Sequence, residues 1–287
     1  MSAVVTAPAG AETGEARRTG PRRRRWTRFV LPAYSWLVIA YLVFPIAVMI
    51  VYSFNKVTTG LPQVSFAWNG FTTQWYRQWS DIPQLTSSFW LSIRLAVLAT
   101  IVATTLGTLL ALALVRYRPP QLRGKGFLEQ VMFLNIAAPE IVMGASLLGL
   151  FVTLNVARGF ITLLLAHVAF SIAYVAITVR ARMAGFDRSL EEAAQDLGAN
   201  AWVTFRKITL PLIMPGVLAG ALMAFALSID DFVTSNFVSG ASVPFPVWVY
   251  GATRVGIPPQ VFVFGSAIFA VGILCALTSI VVARRQT

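Results

Sequence analysis

The feature that most constrains this chain is a series of long apolar stretches that hold almost no charged residues. Each reaches the roughly 20 residues that an α-helix needs to cross about 30 Å of hydrocarbon. They cover residues 29–54, 89–115, 127–154, 160–179, 212–232 and 261–282. Only 12% of the residues are charged, against about 25% in soluble domains. The sequence therefore predicts an all-α integral membrane protein with six transmembrane helices.

The positions of lysine and arginine predict how the chain is oriented. If there are six spans, residues 1–28, 116–125, 180–207 and 284–287 lie on one side of the membrane, and they hold eighteen of the 23 basic residues. Cytoplasmic loops carry such an excess. Both termini are therefore expected in the cytoplasm, and the net charge of +12 reflects topology rather than nucleic-acid binding.

These assignments divide the chain into a basic, disordered tail at 1–28, a membrane domain at 29–283 and a short cytoplasmic C-terminus. Two outer segments complete the prediction. Residues 55–88 are rich in aromatic side chains, which favour the membrane interface. Residues 239–260 are rich in Pro and Gly and are expected to form an irregular loop.

The cytoplasmic segment 187–211 carries helix signals. Ser189 and Glu192 have the spacing of a capping box at a helix start, and Gly198 suits a left-handed cap at its end. Asn200 can cap a second short helix, and Pro211 is expected to begin the next span. The pattern predicts a helix–turn–helix, although capping alone could explain Glu192.

The spacing of this segment resembles the EAA loop of ABC importer permeases, so we call residues 187–211 the EAA segment. The matching residues are Glu192, Ala193, Ala194, Gly198, Ile208, Leu210 and Pro211. The resemblance implies that the segment docks on an ATPase subunit and transmits its closure. Ala193 and Ala194 would allow close approach, Gly198 would set the angle between the two helices, and Glu192 would cap the helix or pair with a base on the ATPase.

Residues 31–285 are similar to the second permease subunit of spermidine/putrescine importers, in motifs such as RYRPPQLRGKG and LSIDDFVTSNFVSG. This resemblance implies a type I ABC importer permease fold in a bacterial inner membrane. It also implies four kinds of partner: a homologous second permease, two ATPase subunits, an extracytoplasmic binding protein and the lipid bilayer. The Walker A pattern is absent from the sequence. The chain is therefore expected to be no enzyme and to hold no cofactor, with ATP and Mg on the ATPase.

Acidic residues in the apolar stretches are candidates for a cation path, because burying a carboxylate in a membrane is costly. Glu140 lies near the middle of the third span, after Pro139, and Asp230 and Asp231 end the fifth span. A polyamine needs carboxylates for its ammonium groups and aromatic faces for its carbon chain. Helix termination, solvation or a protonated, hydrogen-bonded glutamate are the alternatives.

The aromatic candidates for the same path are Trp75, Phe232, Trp248 and Tyr250, although membrane aromatic belts explain tryptophan and tyrosine equally well. His167, the one histidine, is expected to be packed and hydrogen-bonded rather than to relay protons. The sequence predicts neither a metal site nor a hydrolase triad.

Three other functional classes remain open at this point. A secondary transporter could use Glu140 and His167, but it predicts inverted repeats, and none is visible. A membrane enzyme should show clustered catalytic groups, and a structural protein has no need of acids in its spans. Copurification of an ATPase subunit would separate an importer permease from all three.

Overall fold

The computed structural model describes residues 27–57, 67–117 and 124–284, and the chain divides into two compact units. Nearly all of the basic tail lies outside the described residues. The described residues form helices, and one isolated bridge joins Asn55 to Phe71. The helices are α1 (Thr27–Tyr52), α2 (Gln74–Arg77), α3 (Pro83–Arg116), α4 (Lys125–Ala137), α5 (Glu140–Thr153), α6 (Phe160–Met183), α7 (Ser189–Asp196), α8 (Ala201–Thr204), α9 (Leu210–Asp230), α10 (Val233–Val238), α11 (Phe245–Ala252) and α12 (Gln260–Arg284).

The first unit, residues 1–48, contains most of α1. This helix continues through Pro32 and Pro45. Its described side chains are largely apolar and exposed, for example Leu31 at 72% and Tyr41 at 75%. A long helix with exposed apolar side chains is suited to lipid, as expected for the first span.

In the second unit, residues 49–287, α6 packs against both α3 and α9. Glycines allow this close approach: a Cβ at Gly107 would lie 2.7 Å from Val175 Cβ, and one at Gly220 would lie 3.2 Å from Val175 Cγ1. Small residues serve the same purpose in many membrane bundles. The apolar core of these three helices includes Ala111, Leu114, Val175, Val179 and Ile213.

The expected continuous third span is wrong, because α4 and α5 meet at an angle of 111°. Proline lacks an N–H and forces the preceding residue out of helical geometry. Ala138 accordingly has φ −66° and ψ 134°, and Pro139 is also extended. The break turns the predicted span into two shorter helices.

Pro211 lies in the first turn of α9, close to the predicted start of the fifth span, but the helix does not begin there as a separate element. Helical structure runs without a gap from Ala201 to Asp230, through a π-helical turn at Phe205–Thr209. At that turn the Leu210 N–H donates to the Phe205 carbonyl, five residues back. The wider turn admits Pro211, whose missing N–H would interrupt a regular ladder.

By length and composition, four continuous helices in the described residues can cross a membrane, or five if the bent pair α4–α5 counts as one span. The last helix, α12, lies where the sixth span was predicted. The protein is thus a multi-pass helical membrane protein. The count of six spans stays a prediction.

The segment 239–260 is more regular than expected, since it contains α11. Pro246 lies in the first turn of this helix, where its missing N–H costs nothing. The Phe245 N–H donates to Ser92 Oγ of α3 at 2.8 Å. This buried contact fixes the start of α11 against the bundle.

Candidate functional site

A cavity of about 250 Å³ lies at the break between α4 and α5. Three of the residues predicted for a cation path share its wall: Glu140, Asp230 and Asp231. Phe232, a fourth predicted residue, also lines it. Its remaining lining residues are Asn135, Ile136, Ala138, Met143, Phe170, Tyr174, Leu227, Val233 and Thr234. The structure thus brings carboxylates and aromatic rings from separate helices into one space.

The position of Glu140 differs from the sequence prediction. It is an exposed residue in the first turn of α5, rather than a residue within a continuous span. A helix N-terminus carries partial positive charge and favours a carboxylate. The bend at Pro139 therefore presents Glu140 to the cavity at the start of a helix.

The two aspartates that end α9 have different surroundings. Asp230 is exposed, whereas the Asp231 side chain is only 7% exposed. The Asp231 carboxylate accepts hydrogen bonds from the backbone N–H groups of Ser235, at 2.7 Å, and Thr234, at 3.3 Å. Asp231 therefore caps α10, and its oxygens are already engaged by the protein.

His167 lies beside Asp231, a proximity that the sequence did not reveal. Its ring is fully buried, with Nε2 3.5 Å from the Asp231 carboxylate. Nδ1 is 2.7 Å from Ser228 Oγ, and Nε2 is 3.0 Å from Ser235 Oγ. The expectation of a packed, hydrogen-bonded histidine is confirmed, and this histidine joins α6, α9 and α10.

A second cavity of about 510 Å³ shares Asp230 and Phe232 with the first. Tyr250 also lines it, and its ring centroid is 4.6 Å from that of Phe232. The guanidinium of Arg254 lies over the Tyr250 ring, 5.3 Å from its centroid. Two of the predicted aromatics thus contact each other next to an exposed carboxylate.

The two predicted tryptophans line neither of these cavities. Trp75 is 7% exposed, and its indole N–H donates to the Asn55 carbonyl at 2.9 Å. Trp248 packs, partly buried, on the cluster that contains Leu85, Phe245 and Phe264. Both are held by packing among neighbouring helices and loops, which the sequence pattern could not separate from a binding role.

The EAA segment forms the expected pair of helices. Gly198 has φ +88°, and the N–H groups of Gly198 and Ala199 donate to the carbonyls of Gln195 and Ala194. This is a Schellman end, which favours glycine. Asn200 Oδ1 accepts from the Val203 N–H at 2.9 Å, which confirms the second cap.

The expected capping box at the start of α7 is wrong. Arg188 holds the N-cap position and makes no side-chain cap. Instead, Asp187 Oδ1 accepts from the Ser189 N–H at 2.9 Å. This backbone hydrogen bond, assisted by the Ser189 side chain, lowers the pKa of the Asp187 carboxyl.

The residues of the EAA match occupy different environments. Glu192 and Ala193 are exposed, and Ala194 is half-buried. Exposed apolar side chains accompany them, with Leu197 at 91% and Trp202 at 66%. At the other end of the match, Pro211 is exposed, and Ile208 and Leu210 are half-buried, with Leu210 against the helix core. The segment thus presents one acidic, partly apolar surface and anchors its far end in the bundle.

Sequence reasoning missed Glu191, which precedes the motif. Its carboxylate contacts both the Arg116 guanidinium at the end of α3 and the Thr209 hydroxyl. The sequence did show two adjacent glutamates, of which the EAA motif accounts for one. No local pattern indicated which of the two would face the bundle.

A bundle of apolar helices, with an acidic cavity at a broken helix and an exposed EAA segment, defines a transport permease. Residues 120–287, more than half of the chain, match the family described as binding-protein-dependent transport system inner membrane component. The chain belongs to this family. It is a permease subunit of an ABC importer.

Two curated relatives refine the assignment. The chain is 38% identical to the spermidine/putrescine transport system permease protein PotC of Escherichia coli (strain K12), over 91% of this chain and 96% of that protein. It is 36% identical to the putrescine transport system permease protein PotI of the same strain, over 87% and 89%. The resemblance to polyamine-importer permeases is confirmed.

Solved structures support the fold. A bacterial ABC transporter involved in the import of the acidic polysaccharide alginate matches with a TM-score of 0.62 at 17% identity, over 92% of this chain and 97% of that one. An amino acid ABC transporter matches with a TM-score of 0.55 at 18% identity, over 75% and 100%. At these identities the matches support the ABC importer permease fold and carry no information on substrate.

Proposed function

We propose that this permease moves a polyamine, spermidine or putrescine, into the cell through the cavity at the broken span. The observation that carries the proposal is the pair of exposed carboxylates, Glu140 and Asp230, on one cavity wall that also bears aromatic rings. Ammonium groups suit the carboxylates, and methylene chains suit the rings. The relatives named for spermidine and putrescine transport point to the same substrates.

The burial of the three acids supports a choice among them as substrate ligands. Asp231 is engaged by backbone N–H groups and lies beside His167. Glu140 and Asp230 are the exposed acids, so they are the proposed ligands of the ammonium groups. Asp231 then supports the wall, and Phe232 and Tyr250 extend it towards the second cavity.

For the remaining machinery we propose the arrangement that the resemblance to ABC importer permeases implies. Both termini would be cytoplasmic, and a homologous second permease would complete the path. Two ATPase subunits, which hold ATP and Mg, would bind the EAA segments, and an extracytoplasmic binding protein would deliver substrate. ATP binding would draw the two EAA segments together and open the path outward, and hydrolysis would restore the inward-facing state.

The test is uptake of labelled spermidine and putrescine by the whole complex, with ATP hydrolysis measured in parallel. Glu140→Gln and Asp230→Asn keep the size of each side chain and remove its charge. Hydrogen bonds to charged groups contribute about 1.5–3 kcal/mol, so each change should lower maximal uptake about tenfold or more. The effect should fall on the maximal rate, since the binding protein sets the affinity for free substrate.

Asp81→Asn is the matched control, because Asp81 is an exposed aspartate that lines neither cavity. It should leave uptake unchanged. Uptake at the control level in both Glu140→Gln and Asp230→Asn would contradict a charge-lined path. A panel of amino acids and neutral solutes, assayed for stimulated ATP hydrolysis, would then identify the class that is carried.

A further inference from the structure

Three side chains meet where the EAA segment joins the helical bundle. The Glu191 carboxylate contacts the Arg116 guanidinium and the Thr209 hydroxyl, and Arg116 also donates to Thr209 Oγ1 at 3.0 Å. We call this group the Glu191 joint. It links three elements in one contact: α7, the end of α3 and the π-helical turn at Phe205–Thr209.

The joint is partly withdrawn from solvent. The Glu191 side chain is 16% exposed, the Arg116 side chain 35%, and Thr209 is fully buried. Hydrogen bonds between ionised groups are roughly twice as strong as neutral ones, and partial burial reduces their screening. The joint is therefore stiffer than an exposed surface ion pair.

A neighbouring contact fastens the same turn of α7. Arg188, at the N-cap of α7, donates to the Val115 carbonyl at 2.8 Å. Val115 and Arg116 are the last two residues of α3. The start of α7 is thus attached to the end of a membrane-crossing helix by two of its side chains, those of Arg188 and Glu191.

The two neighbouring glutamates face different surroundings. Consecutive residues of an α-helix point about 100° apart, so Glu191 reaches the bundle while Glu192 remains exposed. Thr209 is the last residue of the π-helical turn. The extra residue in this turn rotates the helix surface and so changes the direction in which the Thr209 side chain points. Both elements are shaped to bring the carboxylate and the hydroxyl together.

We propose that Glu191 is a positioning residue for energy coupling: the Glu191 joint transfers the movement of α7 to α3 and α9. This proposal rests on the proposed importer function, in which α7 is displaced by the ATPase. Glu192 belongs to the outward surface that meets the ATPase, and Glu191 belongs to the inward side that moves the spans. A flexible attachment would let α7 shift without moving the helices behind it.

The experiment uses the complete importer, reconstituted in proteoliposomes, and measures substrate uptake per ATP hydrolysed. Glu191→Gln weakens the joint without reversing a charge, and Thr209→Val removes the hydroxyl. Single changes along a coupling route alter coupling by about 0.5–2 kcal/mol, or about 2- to 30-fold. We expect uptake per ATP to fall in that range for both variants, with subunit assembly intact. Asp81→Asn, at an exposed aspartate outside the EAA segment, is the matched control and should keep the wild-type ratio.

A charge exchange supplies the stronger test. Glu191→Arg and Arg116→Glu should each lose coupling, and the double variant should recover it to within about threefold of wild type, if the pair itself carries the motion. A double variant no better than the single ones, or Glu191→Gln at the control ratio, would overturn the proposal. If the charge-reversal variants fail to assemble, the outcome rests on Glu191→Gln and Thr209→Val.

The ratio of uptake to ATP hydrolysis tests the Glu191 joint whichever solute the importer carries. If the complex transports a solute other than a polyamine, the ratio is measured with that solute, and the joint is tested unchanged. Absence of ATP-driven uptake of any solute by the wild-type complex would instead contradict the importer function, and the joint with it.

Discussion

Replacing His167 with phenylalanine should lower the thermal stability of the permease, because this histidine joins three helices through polar contacts. Phenylalanine keeps a ring of similar size in a fully buried site, so hydrogen bonds are removed without opening a large cavity. The lost contacts reach Ser228 Oγ at 2.7 Å, Ser235 Oγ at 3.0 Å and the Asp231 carboxylate at 3.5 Å.

The expected magnitude follows from these contacts. Side-chain hydrogen bonds in membrane proteins contribute about 0.6 kcal/mol on average and about 1.7 kcal/mol at most. Two such bonds and the longer carboxylate contact together amount to about 1–4 kcal/mol. A loss of about 2 kcal/mol corresponds to a Tm lower by about 4–8 °C for a chain of this size.

The assay is thermal unfolding of the complex in nanodiscs, with the intact fraction measured by size-exclusion chromatography after heating. Thr178→Val is the matched control on the same helix. It removes a hydroxyl that donates to the Tyr174 carbonyl within α6, so Tm should change little. A Tm for His167→Phe equal to that of the control would refute the reasoning that this network holds α9 and α10 to α6.

Two further predictions concern packing and topology. Gly107→Ala should destabilise the protein by about 1–3 kcal/mol, since its Cβ would lie 2.7 Å from a valine side chain, whereas Gly149→Ala, with open space around it, should be neutral or slightly stabilising. Thermal unfolding checks both, and equal Tm values would contradict the close packing of α3 on α6. In a Cys275→Ala background, Val255→Cys should react with an impermeant thiol reagent in intact cells and Leu197→Cys should not. Both sites are exposed, at 78% and 91%, so the reverse pattern would contradict the proposed orientation.

Much of this protein follows from short stretches of sequence. Long apolar runs need a lipid environment whatever their neighbours, and the helices lie close to the predicted positions. Gly198 and Asn200 behave as expected because helix ends are satisfied by residues a few positions away. The EAA segment was therefore recognisable without a structure.

The tertiary structure decided what depends on distant neighbours. Pro139 marked a position where the third predicted span could be interrupted. The packing of the surrounding helices decides whether such a proline is tolerated within a continuous helix or produces a 111° break. His167 meets Ser228 and Asp231, more than 60 residues away, and no local pattern predicts such a contact. Tertiary packing also determines that the Asp230 carboxylate is exposed, whereas the Asp231 carboxylate accepts hydrogen bonds from α10.

The same reason explains the two adjacent glutamates of α7. A sequence motif marks Glu192, but the joint that ties the helix to the bundle uses Glu191, Arg116 and Thr209. These residues are 75 and 18 positions apart from Glu191, and their meeting depends on a π-helical turn that local propensity does not reveal. Local sequence determined which helices form and how they end, whereas the packing of those helices determined which charged side chains face each other.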